Sequence, residues 1–135
     1  MTILGIQFSK IVMEKFGPAR GKVTVNNNVA VTEVEKIEIT FGATKQDVLR
    51  FDFEYKAQYD PKIADITLTG SLTFFDKKEK LTELAAGWKK DKKIPKEIMT
   101  TVLNSILTKC NVESLVLSRE LGLPPPIPMP KVNLK

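Results

Sequence analysis

Few residues in this chain could make or break bonds. Cys110 is the single cysteine among 135 residues, and histidine is absent. Without imidazole there is no Ser-His or Cys-His nucleophile pair, and the commonest general base and zinc ligand are both missing. Cys110 falls in helical spacing with Ile98, Val102 and Ile106, which reads as an inert buried thiol. The carboxylates Asp52, Glu54 and Asp65 alternate with apolar residues, the composition of a wet sheet face rather than of a metal cluster. Seven scattered glycines give no phosphate-binding fingerprint. An acid, a base and an oxyanion site cannot be assembled, so the expectation is no enzyme, no catalytic residue, no metal and no cofactor.

What remains is binding chemistry. Lys89, Lys90, Lys92, Lys93 and Lys96 form a basic cluster, and the balance of 21 basic to 16 acidic residues permits an anionic partner. Phe51, Phe53 and Tyr55 form an aromatic row that, if exposed, could stack bases while the lysines met phosphates. The same row also reads as core beneath helices, the lysines as a solvated helix end, and Trp88 as a core anchor. The glycine-and-aromatic signature of an RNA-recognition sheet is missing.

The elements that must position these residues are organised around residues 46–75. Leu49, Phe51, Phe53 and Tyr55 alternate with Arg50, Asp52, Glu54 and Lys56, the period of a strand with one apolar face. Tyr59-Asp60-Pro61-Lys62 reads as a turn, and Ile66, Leu68, Leu72 and Phe74 resume the alternation, predicting an antiparallel hairpin. Ahead of it, Ile3 to Phe16 predicts an opening strand with a bulge near Ser9, and Gly17-Pro18 a break. Val23, Val25, Val29 and Val31 surround Asn26-Asn27-Asn28, which could be a hairpin tip or a bulge; Ile37, Ile39 and Phe41 predict a further strand. The strands are expected to form a meander.

After Phe75 the period becomes helical. Asp76 and Glu79 are spaced as a capping box ahead of Leu81, Leu84, Ala85 and Trp88. Pro95 suits the first position of a second helix, whose broad stripe runs from Ile98 to Cys110. Asn111 looks like a joint or cap, followed by a shorter helix ending at Gly122. Prolines at 124, 125, 126, 128 and 130 exclude helix and favour an extended tail docked on the surface.

The length fits one domain, 1–135, with strands over 1–75, helices over 76–122 and the tail over 123–135. Hydrophobic residues at 42% and charged residues at 27% exclude a largely disordered chain. No run of transmembrane length and no leader pattern at Met1 is present, so the expected location is cytoplasmic. The fold class is α+β: a four-stranded or slightly larger antiparallel sheet, C-terminal helices on one face, and the proline-rich tail.

In that order the chain resembles the export chaperone SecB and its archaeal relatives, over roughly Phe8 to Asn133. Phe8-Ser9-Lys10-Ile11 is similar to the family's opening segment; Lys36 to Phe41, Asp47 to Tyr55 and Ala64 to Phe75 resemble its next strands, with Gly70 near its strand glycine. Cys110-Asn111-Val112, Ser118-Arg119 and Pro128 to Asn133 look like its helix joint, second helix end and closing loop.

The resemblance implies a homo-oligomer, a dimer or dimer of dimers, that holds unfolded or nascent polypeptides in apolar grooves without ATP. Phe53, Tyr55, Phe74, Phe75, Trp88, Leu115 and Ile127 are its candidate groove residues. Two features depart from the family. The mixed charges of Arg50, Asp52, Glu54, Lys56 and Asp65 do not reproduce an acidic docking surface for the SecA motor, and Asp76 to Lys93 looks like an insertion. The rival readings are a nucleic-acid-binding module using the Lys89 to Lys96 cluster, and a structural subunit whose apolar surfaces a partner covers. The Ile98 to Cys110 stripe looks too wide for one sheet face, a second reason to expect an oligomer.

Overall fold

The computed structural model describes residues 2–18 and 21–126, and Phe41 by its backbone only. Four strands, β1 (Thr2–Lys15), β2 (Thr24–Phe41), β3 (Thr44–Asp60) and β4 (Ala64–Phe75), precede two helices, α1 (Lys78–Asp91) and α2 (Lys96–Glu120). The strands form one antiparallel sheet in the order β1-β4-β3-β2. Only β2, β3 and β4 run as a meander; β1 returns beside the last strand, so the expected simple meander gives way to a Greek-key order.

The central hairpin forms where the alternation placed it. Leu49 pairs with Phe74, Phe51 with Leu72, Tyr55 with Leu68 and Ala57 with Ile66, all on the face that the helices cover. Because side chains alternate sides, Arg50, Asp52, Glu54 and Lys56 share the other face. There Arg50 lies 2.9 Å from Glu35 and 3.0 Å from Asp52, and Lys56 lies 3.2 Å from Glu54. Arg50 Nε lacks hydrogen-bond geometry toward Asp52, so that contact is an ion pair alone.

Gly70 sits opposite Phe53, and a Cβ there would fall 2.2 Å from the Gln7 carbonyl oxygen and 3.0 Å from Phe53. The missing side chain lets Phe8 and Phe53 meet edge to face, with centroids 6.1 Å apart. The register of β1 slips beside this glycine, which makes Ser9 the bulge the sequence predicted.

Several local expectations change. Asn26, Asn27 and Asn28 are neither tip nor bulge: they pair in register with Gln58, Ala57 and Lys56 inside one strand of 18 residues. The bulge in β2 is at Thr32. α1 opens at Lys78 with Lys77 as its N-cap, one residue later than a capping box on Asp76 requires, and Asp76 Oδ1 accepts from the Lys77 N–H at 2.7 Å. Pro95 is the N-cap of α2 rather than its first residue, and α2 continues unbroken through Asn111.

α2 ends as the sequence indicated. Gly122 takes a positive φ of 64°, its N–H donates to the Arg119 carbonyl at 3.2 Å, and the Leu123 N–H reaches the Ser118 carbonyl at 2.8 Å. Those paired bonds satisfy helix-end acceptors and turn Leu123 into the core. The tail then docks: Tyr59 Oη donates to the Pro124 carbonyl at 2.7 Å, and Asn27 Nδ2 to that of Pro126 at 3.0 Å. Docking is thus observed to Pro126, and residues 127–135 lie outside the described part.

Candidate functional site

The helix layer covers β3 and β4 fully and leaves β2, an edge strand, partly open. The Thr32 bulge decides which β2 residues line that opening. Before it Val29 and Val31 pair with Tyr55 and Phe53; after it Val34 and Lys36 pair with Phe51 and Leu49. The one-residue slip shifts the covered-face positions from odd to even numbers, keeping Val34 on the covered face and sending Ile37 and Ile39 to the other.

Two clefts follow. The first, about 430 Å³, lies between Glu33, Val34, Glu35 and Lys36 of β2 and Ala85, Trp88 and Lys89 of α1. Glu33 Oε1 accepts from Trp88 Nε1 at 3.0 Å and from the Val34 N–H at 3.2 Å, fixing the indole edge against the bulge. Lys36 Nζ reaches Thr82 Oγ1 at 3.5 Å. The second, about 330 Å³, lies between Asn27, Asn28 and Val29 of β2 and Leu107 and Asn111 of α2. Asn111 Oδ1 is buried without a hydrogen-bond partner. From Asn27 to Lys36 the shared strand spans ~30 Å at the usual rise per residue.

The structure separates most of the predicted groove residues from these openings. Phe53, Tyr55 and Phe74 are all 0% exposed, packed in the core. Phe75 is half-buried at the end of β4 on the opposite face, and Leu115 is half-buried on α2. Trp88, 8% exposed, is the one predicted groove residue among those described that lines either cleft, and Lys89 of the basic cluster lines the same one; Ile127 lies outside the described part. Lys89, Lys90, Lys92, Lys93 and Lys96 are exposed, but the aromatic row meant to accompany them in a nucleic-acid interface is buried. Glu33, Val34, Ala85, Asn27, Asn28, Leu107 and Asn111 were not singled out from the sequence as site residues. The signal that could have found the β2 members is the parity change between Val31 and Val34.

No nucleophile is poised in this layer. Burial pushes the Cys110 thiol up to about 12, with Lys109 opposing only in part, so it stays protonated at neutral pH. Burial also raises Tyr59 to about 12 and raises Tyr55, each eased by a serine of α2, Ser118 and Ser114 respectively. Ser114 influences Tyr55 in this way although no hydrogen bond of acceptable geometry joins the two hydroxyls. Among the described residues, no three thiol or carboxylate groups converge on a possible metal position, and no helix is long and apolar enough to cross a membrane.

The four-stranded Greek-key sheet covered on one face by two C-terminal helices is a fold shared with a solved SecB-like chaperone. The chain is similar to the SecB-like chaperone of Mycobacterium tuberculosis, solved in complex with a ChAD peptide from the HigA1 antitoxin. The likeness covers 98% of this chain and 89% of that one, with a TM-score of 0.51 and 17% sequence identity. That organism is a bacterium, so the likeness adds nothing for an archaeal affiliation. No protein-family model matches the sequence. No curated protein matches it either.

Proposed function

We propose that this chain is a non-enzymatic, ATP-independent holdase chaperone of the cytoplasm that binds unfolded or nascent polypeptides as a homo-oligomer and serves protein export. The observation that carries the reading is the pair of clefts along the free edge of β2, in a SecB-like fold whose mycobacterial neighbour is solved with a peptide. An unfolded chain offers apolar side chains and unpaired backbone. A strand edge flanked by Val29, Val34, Ala85, Trp88 and Leu107 can take up both without sequence specificity. Exposed apolar side chains on β1 (Leu4, Ile11, Val12), just after it (Phe16) and on α2 (Val112, Val116) offer contact surface for further copies, and repeated copies raise avidity for a long client.

The test is suppression of aggregation of a chemically denatured client by the purified protein, at low and high salt, beside a single-stranded DNA binding control. Suppression that persists in high salt is the expected result, because apolar capture survives screening whereas phosphate contacts weaken steeply. Absence of suppression together with salt-sensitive DNA binding would overturn the holdase reading in favour of the lysine cluster.

A further inference from the structure

The charges around the cleft between β2 and α1 are unevenly satisfied. Val34, Ala85 and Trp88 form its apolar part, and Glu33, Glu35, Lys36 and Lys89 complete the lining. Counted alone these four charges cancel. Yet Glu33 already accepts from the Trp88 indole and the Val34 N–H, and Glu35 meets Arg50 at 2.9 Å. Lys36 has a 3.5 Å contact with the Thr82 hydroxyl, and neither it nor Lys89 has an ion-pair partner among the described residues. The turn after α1 adds more cation. The Lys92 N–H donates to the Trp88 carbonyl at 2.8 Å with Lys92 at a positive φ of 56°, and Gly87 leaves room for the Lys93 carbonyl, which a Cβ there would meet at 3.2 Å. Lys90, Lys92 and Lys93 are thus held, all exposed, on the turn that leaves the cleft wall, with Asp91 the one acid between Lys89 and Lys93. We propose that this cleft selects, among unfolded polypeptides, segments in which an apolar side chain has carboxylates beside it, an inference that rests on the holdase reading.

The two parts of such a segment match the two parts of the site. The apolar side chain is buried against Val34, Ala85 and the indole, whose edge Glu33 fixes. In an extended chain each residue advances ~3.3 Å, so carboxylates one or two positions from the anchor come within reach of the long side chains of Lys36 on the strand and Lys89 on the helix. A basic segment brings ammonium groups to the same unpaired lysines and is disfavoured, which turns capture into discrimination. Nucleic acid fits less well. Its phosphates would pass Glu33 and Glu35, and Trp88, 8% exposed, offers too little ring to stack a base. Salt should remove the discrimination while leaving the apolar capture in place.

The test uses the full chain and unstructured peptides with the core Leu-Val-Leu, flanked on both sides by paired Glu, Gln or Lys. Trp88 is the single tryptophan, so its fluorescence reports on this cleft, and calorimetry reports binding anywhere. In low salt the Glu peptide is expected to bind about tenfold more tightly than the Lys peptide, because two exposed contacts change from attraction to repulsion. The affinities should converge in about 0.5 M NaCl. Lys36→Gln/Lys89→Gln should cut the ratio to about twofold, whereas Lys45→Gln/Lys56→Gln, which removes equal charge elsewhere on the sheet, should preserve it. Equal affinities in low salt would overturn the selection while the holdase reading stands. An equal loss in both variants would assign it to net charge, and calorimetric binding with silent Trp88 fluorescence would place clients elsewhere; either result overturns the site. Displacement of the Glu peptide by a single-stranded oligonucleotide that itself shifts Trp88 would overturn it in favour of phosphate binding. If no peptide binds and a denatured client still aggregates, the holdase reading fails and the selection fails with it.

Discussion

The sheet-facing residues of α2 change character halfway along the helix. Ile98, Val102, Ile106 and Cys110 are spaced by four, and Ser114 and Ser118 continue the same spacing with hydroxyls. Both halves are equally sealed, since Val102 and Ser114 are 0% exposed. What differs is the partner: Ser114 and Ser118 lie beside the hydroxyls of the buried Tyr55 and Tyr59. A tightly packed layer conserves volume rather than hydrophobicity, so a large ring on the sheet calls for a small residue on the helix. One half is held by hydrocarbon, the other by shape and by the Tyr59 bond to the docked tail.

The largest effect expected from this contrast is at Ile106. Ile106→Ala removes a fully buried branched side chain in the apolar half and should cost about 3 kcal/mol, read as a lower urea midpoint at unchanged slope. A loss under about 1 kcal/mol would mean that α2 is loosely seated there.

The contrast also explains what the sequence concealed. The hairpin was legible because β3 and β4 bury a strict alternation, and the end of α2 because Gly122 marks it. The false joint at Asn111 came from the serines: once Ser114 and Ser118 replace hydrocarbon on the buried stripe, apolar periodicity loses its phase although the helix continues. Asn26 to Asn28 misled similarly. Asparagine favours turns through local backbone bonds, but here Asn26 binds Asp60 at 3.0 Å and Asn27 binds the tail, both remote partners. The clefts were hidden because they depend on the course of β2 and on where α1 and α2 sit over it, neither of which composition encodes. The aromatic row was visible as aromatic, but its burial is a property of the helix layer.

A medium effect should separate the halves by pH. Tyr59 and Cys110 hold their protons to about 12 in the folded chain, against ordinary values of 10.0 and 9.0, and Tyr55 shifts the same way. Stability from these groups is therefore complete below pH 9 and declines as pH rises toward 12, because the unfolded chain releases protons first. Tyr59→Phe should cost about 1 kcal/mol at neutral pH by losing the bond to Pro124, and should flatten the alkaline decline. Urea unfolding across that range checks both parts; an unchanged slope would remove Tyr59 from the linkage.

The smallest effect has the opposite sign. Ser114 Oγ and Tyr55 Oη are both buried without a satisfactory hydrogen bond, so the serine half carries two desolvated hydroxyls in one place. Ser114→Ala deletes one of them, leaves a volume change of a single atom, and raises helix propensity. The expected outcome is a gain of up to about 1 kcal/mol in stability, since removing an unsatisfied buried group returns its desolvation cost. A clear loss would show that the two hydroxyls do bond in solution and that this half is held by hydrogen bonding as well as shape. Tyr55→Phe then decides the matter in a double-mutant cycle: additive effects mean two independent unpaired groups, and a coupling of more than about 0.5 kcal/mol means a bonded pair between helix and sheet.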